Sequence, residues 1–195
     1  MRTVDPEQHA LRRTHILGAA AECFAANGFA KTTTAQICTA AGVSSGSLFH
    51  YFPTKAAVFS AIFEDDGVEV DEFFAQPTDD PLQRVLDWID RCAEDSRSPL
   101  LAGLMAAVVE RANTDADFAT LMTDNEVRTR DGIATLLEQA EAAEQIAAQT
   151  DPLRTASWIL VLIDGLYSRL TDLNYPIDNQ AADLKHLIRQ LTAAR

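Results

Sequence analysis

Apolar residues along this chain return every three or four positions and almost nowhere alternate one by one, a period that belongs to helices rather than strands. Ile16, Ala20 and Phe24 make one such stripe. Phe118, Leu121 and Met122, continued by Ile133, Leu136, Leu137 and Ala140, make a second, and Leu184, Leu187, Ile188 and Leu191 a third. Asp5-Pro6, Asp80-Pro81, Ser98-Pro99 and Asp151-Pro152 each set a capping side chain before a proline suited to the first helical position, and Thr114 with Asp117 gives a weaker version of the signal. A further helix is expected over about 55–74. No alternating run is bounded by hairpin turns, and no internal repeat stands out, so the pattern predicts an all-α fold.

Two short helices are predicted between Thr33 and Lys55, in TTAQICTAAGVSSGSLFHYFPTK. Thr33 can cap the first, with Gln36 closing a capping box and Ile37, Cys38 and Ala41 forming its apolar side. Gly42 supplies a left-handed stop, Val43 an apolar contact beyond it, and Ser44 the cap of the next helix. From Ser45 to Tyr51 the second helix offers Leu48 to the core, leaving Ser45, Gly46, Ser47, Phe49 and His50 on its other sides until Phe52-Pro53 ends it. Gly46 costs a helix roughly 1 kcal/mol against alanine, which points to a surface that something approaches closely.

Charge sharpens this picture. The chain carries 29 acidic and 16 basic residues, a net charge of −13, yet no acid lies between Glu22 and Glu64. At the average frequency that window would hold roughly six, a deficit that suits a surface facing phosphate. Residues 1–55 hold five basic and three acidic side chains, so the net charge is +2 there and −15 over the remainder. Lys55, beside the expected cap Thr54, sits at the positive end of the following helix, where a nearby phosphate would turn a mild penalty into a gain.

The run ILGAAAECFAANGF followed by TTTAQICTAAGVSSGSLFHYFPTKAAVFSAIF closely resembles the N-terminal domain of TetR-family (TetR/AcrR-like) transcriptional regulators, through Gly28-Phe29, Thr33-Thr34, Ala41-Gly42-Val43, Leu48, Tyr51-Phe52 and Lys55. The resemblance implies a three-helix helix-turn-helix DNA-binding domain over 1–54 and a helical effector-binding and dimerisation domain over 55–195. It implies that Thr33 or Thr34, Tyr51 and Lys55 hold phosphates, with Ser44 at the helix start, while Ser45, Gly46, Ser47, Phe49 and His50 face the major groove of a double-stranded DNA operator. Many relatives have lysine where Ser45 stands and tyrosine where Phe49 stands, so base readout does not carry over.

The segment ASWILVLIDGLYSRL is apolar nearly all round, so one side should face its own core and another a second copy. It also resembles the family's dimerisation helix. With the final stripe it predicts an intermolecular four-helix bundle through Leu162, Leu166, Leu170, Leu184, Leu187, Ile188 and Leu191. The resemblance also suggests an effector pocket, for which Phe63, Trp88, Met105, Phe118, Met122 and Trp158 are the apolar candidates and Glu110, Arg111 and Asp164 the polar ones, toward a lipophilic, cationic or neutral effector.

Other chemistries find little support. Cys23, Cys38 and Cys92 are odd in number and lack metal spacing, which fits a reducing cytoplasm. His9, His15, His50 and His186 are scattered, so no metal or other cofactor is implied. The chain lacks Walker and GxGxxG motifs, and its Asp115/Asp117 pair reads as capping. The start has no apolar signal region and Trp158 to Ile163 is too short to span a bilayer, so no membrane partner is expected. The reading is a ligand-responsive repressor, not an enzyme, that binds a palindromic operator as a homodimer and is released by a small molecule. The alternative is a helical carrier or enzyme with only architectural similarity, which would have no reason to clear carboxylates from one window.

Overall fold

The computed structural model describes residues 6–148, 151–169 and 176–193. Among them there are nine helices and no strand: α1 (Pro6–Lys31), α2 (Thr34–Ala41), α3 (Ser45–Tyr51), α4 (Lys55–Ala75), α5 (Pro81–Asp95), α6 (Leu101–Ala112), α7 (Ala116–Ala142), α8 (Pro152–Tyr167) and α9 (Ile177–Thr192). The expected cap Asp5 and the expected interface residue Leu170 lie outside the described residues.

Local chemistry sets most of the boundaries. Asp80 and Asp151 accept from the backbone N–H of Gln83 and Arg154, each with a proline at the first helical position. Two expected starts move. Beyond Ser98-Pro99 the helix begins only at Leu101, whose N–H reaches the Ser98 carbonyl at 3.2 Å. Asp115, rather than Thr114, caps α7, accepting from Phe118 N–H at 3.1 Å, while the Thr114 hydroxyl donates back to the Glu110 and Arg111 carbonyls. A carboxylate outcompetes the neighbouring hydroxyl because the helix N-terminus favours negative charge.

The chain divides into two compact units, Met1–Asp66 with Ala102–Thr123, and Gly67–Leu101 with Asp124–Arg195. This differs from a cut at 54/55. In the first unit Ile16, Ala20 and Phe24 of α1 pack with Ile37, Leu48, Phe59, Phe63, Ala107 and Phe118. The first half of α4, α6 and the start of α7 thus complete a core that α1–α3 alone would leave open. The rings of Phe24, Phe29, Phe59, Phe63 and Phe118 follow one another at centroid distances of 4.7 to 5.9 Å, the offset and edge-on spacing that aromatic rings prefer. In the second unit Val85, Leu86 and Ile89 pack with Ile133, Leu137, Ile159, Ile163 and Ile188. No helix among the described residues is long and apolar enough to cross a membrane.

Candidate nucleic-acid interface

The turn between α2 and α3 forms as its residues dictate. Thr33 N–H donates to Gln36 Oε1 at 2.8 Å and Gln36 N–H to Thr33 Oγ1 at 3.2 Å, a closed capping box. Gly42 ends α2 at φ 60°, ψ 34°, and Val43 N–H returns to the Cys38 carbonyl at 3.0 Å. Ser44 Oγ accepts from Ser47 N–H at 3.1 Å and starts α3, which Phe52 ends. The helix is anchored by Leu48, fully buried, and Phe52, also buried.

On the opposite side of α3, Ser44, Ser45, Gly46, Phe49 and His50 are exposed and Ser47 and Tyr51 half-buried, with Thr33 exposed and Thr34 half-buried at the start of α2. Phe49 presents an apolar ring 48% exposed on this side. A Cβ on Gly46 would meet only Ser44 Oγ, at 3.9 Å, so the fold does not require a glycine there.

Several α1 side chains that the sequence left without a role hold this surface in place. His9 lies tilted against Tyr51 at 4.5 Å and meets His50 edge-on at 5.9 Å. Arg13 lies 5.6 Å over the Phe52 ring and pairs with Asp65 at 2.5 Å, and His15 Nε2–H donates to the Ala41 carbonyl at 2.9 Å. His9, Arg13 and Ile16 recur at helical spacing, which is the signal that could have placed them on one face.

Lys55 differs from the expectation. Its ammonium donates to the carbonyls of Phe29, Ala30 and Thr32 at 2.6, 3.1 and 2.8 Å and lies 4.5 Å over the Phe29 ring. Three donors meet three acceptors, which leaves none for a phosphate. Burial pulls its pKa below the ordinary lysine value, with Glu110 opposing that shift and Arg111 adding to it.

Four of the six expected pocket residues share the first unit's core. Phe63 and Phe118 are buried in the first unit's core, with Met105 and Met122 packed against it. Trp88 is buried in the second unit's core against Phe73 and Phe74, and Trp158 is 55% exposed. Of the polar candidates, Glu110 accepts from Phe29 N–H at 2.8 Å and Ala30 N–H at 3.3 Å, and Arg111 pairs with Asp115. Among the expected interface residues, Leu166, Leu184 and Ile188 are buried in their own chain, whereas Leu187 and Leu191 are 46% and 62% exposed. Leu162 and Leu187 line a groove of about 310 Å³ that also includes Gly165, Arg169 and Asp183. Among the described residues no three His, Cys, Asp or Glu side chains are grouped to hold a metal.

Known proteins match both parts of the chain. The model of bacterial regulatory proteins of the tetR family matches residues 16–62, and that of the C-terminal part of BetI-type transcriptional repressors matches 80–193. The transcriptional regulator UidR of Escherichia coli K12 is 26% identical over 166 residues, 83% of this chain and 81% of its own. The transcriptional repressor Rv1474c of Mycobacterium tuberculosis is 27% identical over 172 residues, 87% of this chain and 88% of its own. The structure of the regulator FadR from Bacillus subtilis in complex with stearoyl-CoA superimposes with a TM-score of 0.74 at 17% identity, covering 90% of this chain and 96% of its own. Both family models describe regulators of transcription, which removes the carrier or enzyme alternative.

Proposed function

Because the chain belongs to the tetR family of bacterial regulatory proteins, DNA-binding regulators of transcription and not enzymes, we propose that it is a homodimeric repressor that binds a palindromic operator and is released by a lipophilic small molecule. The observation that carries the reading is the α2–α3 unit. Its outer side is built from Ser44, Ser45, Gly46, Ser47, Phe49 and His50, within a stretch that lacks any carboxylate. A short helix without long or acidic side chains can enter the major groove, while hydroxyls and N–H groups at the starts of α2 and α3, with Tyr51, meet the flanking phosphates. In this reading α1–α3 read DNA and the later helices sense the effector and pair the subunits.

Pairing is supported by the outward side of α8 and α9, where Leu153, Trp158, Val161, Leu187 and Leu191 are each about half exposed or more. A second copy would cover this patch, and a twofold dimer presents two recognition helices to a twofold operator. The acyl-CoA ligand of the Bacillus subtilis relative supports a lipophilic effector class. An odd number of cysteines, Cys23, Cys38 and Cys92, without metal spacing suits the cytoplasm.

An electrophoretic mobility shift with the DNA flanking the protein's own gene tests the reading. The wild type should form a discrete complex that excess mixed-sequence duplex does not displace. Phe49→Ala, at an exposed position, should bind at least about tenfold more weakly while stability changes by no more than about 0.5 kcal/mol. A variant that shifts the duplex as the wild type does would place the reading surface elsewhere.

A further inference from the structure

The joint between α1 and α2 is held by two helices that take no part in reading DNA. Gly28 breaks α1 at φ 76°, ψ 170°, a conformation open almost only to glycine. The break interrupts the helical hydrogen-bond ladder, so N–H groups just after it and carbonyls around it need other partners. Both sets find them. From α6, the Glu110 carboxylate takes the N–H groups of Phe29 and Ala30, and from α4 the Lys55 ammonium takes the carbonyls of Phe29, Ala30 and Thr32. Thr32 ties the joint internally, its hydroxyl donating to the Cys23 and Gly28 carbonyls at 3.0 and 2.8 Å. Arg111, the residue after Glu110, lies 4.5 Å over the Phe29 ring, as Lys55 does.

One residue beyond this segment stands Thr33, the cap of α2. The direction in which α2 and α3 leave α1 is therefore set where opposite charges grip the two edges of one stretch of backbone. A second anchor lies a helical turn earlier. A Cβ on Gly103 of α6 would come within 2.1 Å of the Ala25 carbonyl oxygen, so α6 meets the α1 backbone directly.

We propose that Glu110 and Lys55 form a two-sided clamp on the Phe29–Thr32 segment that orients the reading helices, which makes Lys55 a positioning residue and not a phosphate ligand. Its effect on DNA rests on the DNA-binding reading, whereas the clamp does not. Removing either side should loosen the joint and blur the fit to an operator without removing a charge from the DNA contact.

The test compares Glu110→Ala, a change at an exposed helical position that the fold tolerates, with Lys55→Met in the full-length protein. Without DNA, amide hydrogen exchange at Phe29 and Ala30 should quicken by about tenfold in both variants, including the one that leaves Glu110 in place. With the duplex flanking the protein's own gene, affinity should fall by about tenfold in each, with log affinity against log salt running parallel to the wild type, and affinity for a mixed-sequence duplex should change far less. Lys55→Met flattening the salt slope by about one per half-site would return Lys55 to the phosphates and overturn the proposal. So would unchanged exchange at Phe29 and Ala30 in either variant. If the wild type binds no duplex, the exchange result alone decides the clamp, and the DNA reading fails separately.

Discussion

Glycines 42 and 46 stand four residues apart for opposite reasons. Gly42 adopts a left-handed conformation that a side chain disfavours by roughly 1 kcal/mol or more. Gly46 has an ordinary helical backbone, and a Cβ there would make only an ordinary van der Waals contact with Ser44 Oγ. Gly46→Ala should therefore raise stability by up to about 1 kcal/mol, seen as a higher Tm, while adding a methyl group to the side that approaches DNA and weakening operator binding several-fold. A variant that is more stable and binds equally well would mean that the close approach lies elsewhere on α3. At this scale the sequence revealed what depends on near neighbours. The Thr33–Gln36 capping box, the Gly42 stop and the Ser44 cap each close within a few residues, and each formed as the spacing requires. The partners of Lys55 lie 23 to 26 residues back along the chain. No local rule finds them, because they exist only once α4 has packed beside the broken end of α1.

Among the elements, α9 shows how far periodicity reaches. Leu184, Leu187, Ile188 and Leu191 share a helical stripe, and the spacing cannot say which of them face the chain's own core. The structure turns Leu184 and Ile188 inward, against the cluster of α5 and α8, and leaves Leu187 and Leu191 at its edge. Neighbouring positions should then respond differently. Ile188→Ala, with no exposed surface to begin with, should cost about 2–5 kcal/mol of stability. Leu187→Glu should keep a folded subunit within about 1 kcal/mol yet place a carboxylate in the seam of a dimer and yield monomer by light scattering. A dimer that survives Leu187→Glu would move the pairing surface away from α9. The same limit applies to the pocket candidates. Phe63, Phe118 and Trp88 carry the signature of apolar helix faces, and that signature is shared by filled cores and cavities alike.

Over the whole molecule the charge is divided. The 55 N-terminal residues carry +2 and the rest −15, a division that under the proposed function would draw duplex DNA to α1–α3 and repel it from the remainder. With Lys55 committed to carbonyls, the proposed DNA contact would rely on hydroxyls, N–H groups and Tyr51 as much as on cations, and its salt dependence should be shallow. In the proposed function two copies of the α2–α3 unit read two successive turns of DNA. Selection from a pool of random duplexes by the full-length protein, followed by the mass of the complex with the enriched sequence, puts this to the test. The enriched sequence should be an inverted repeat whose half-sites are centred about 10 base pairs, or a multiple of that, apart and are bound by an even number of chains. Enrichment of no sequence, or of a single unsymmetrical site bound by one chain, would contradict it.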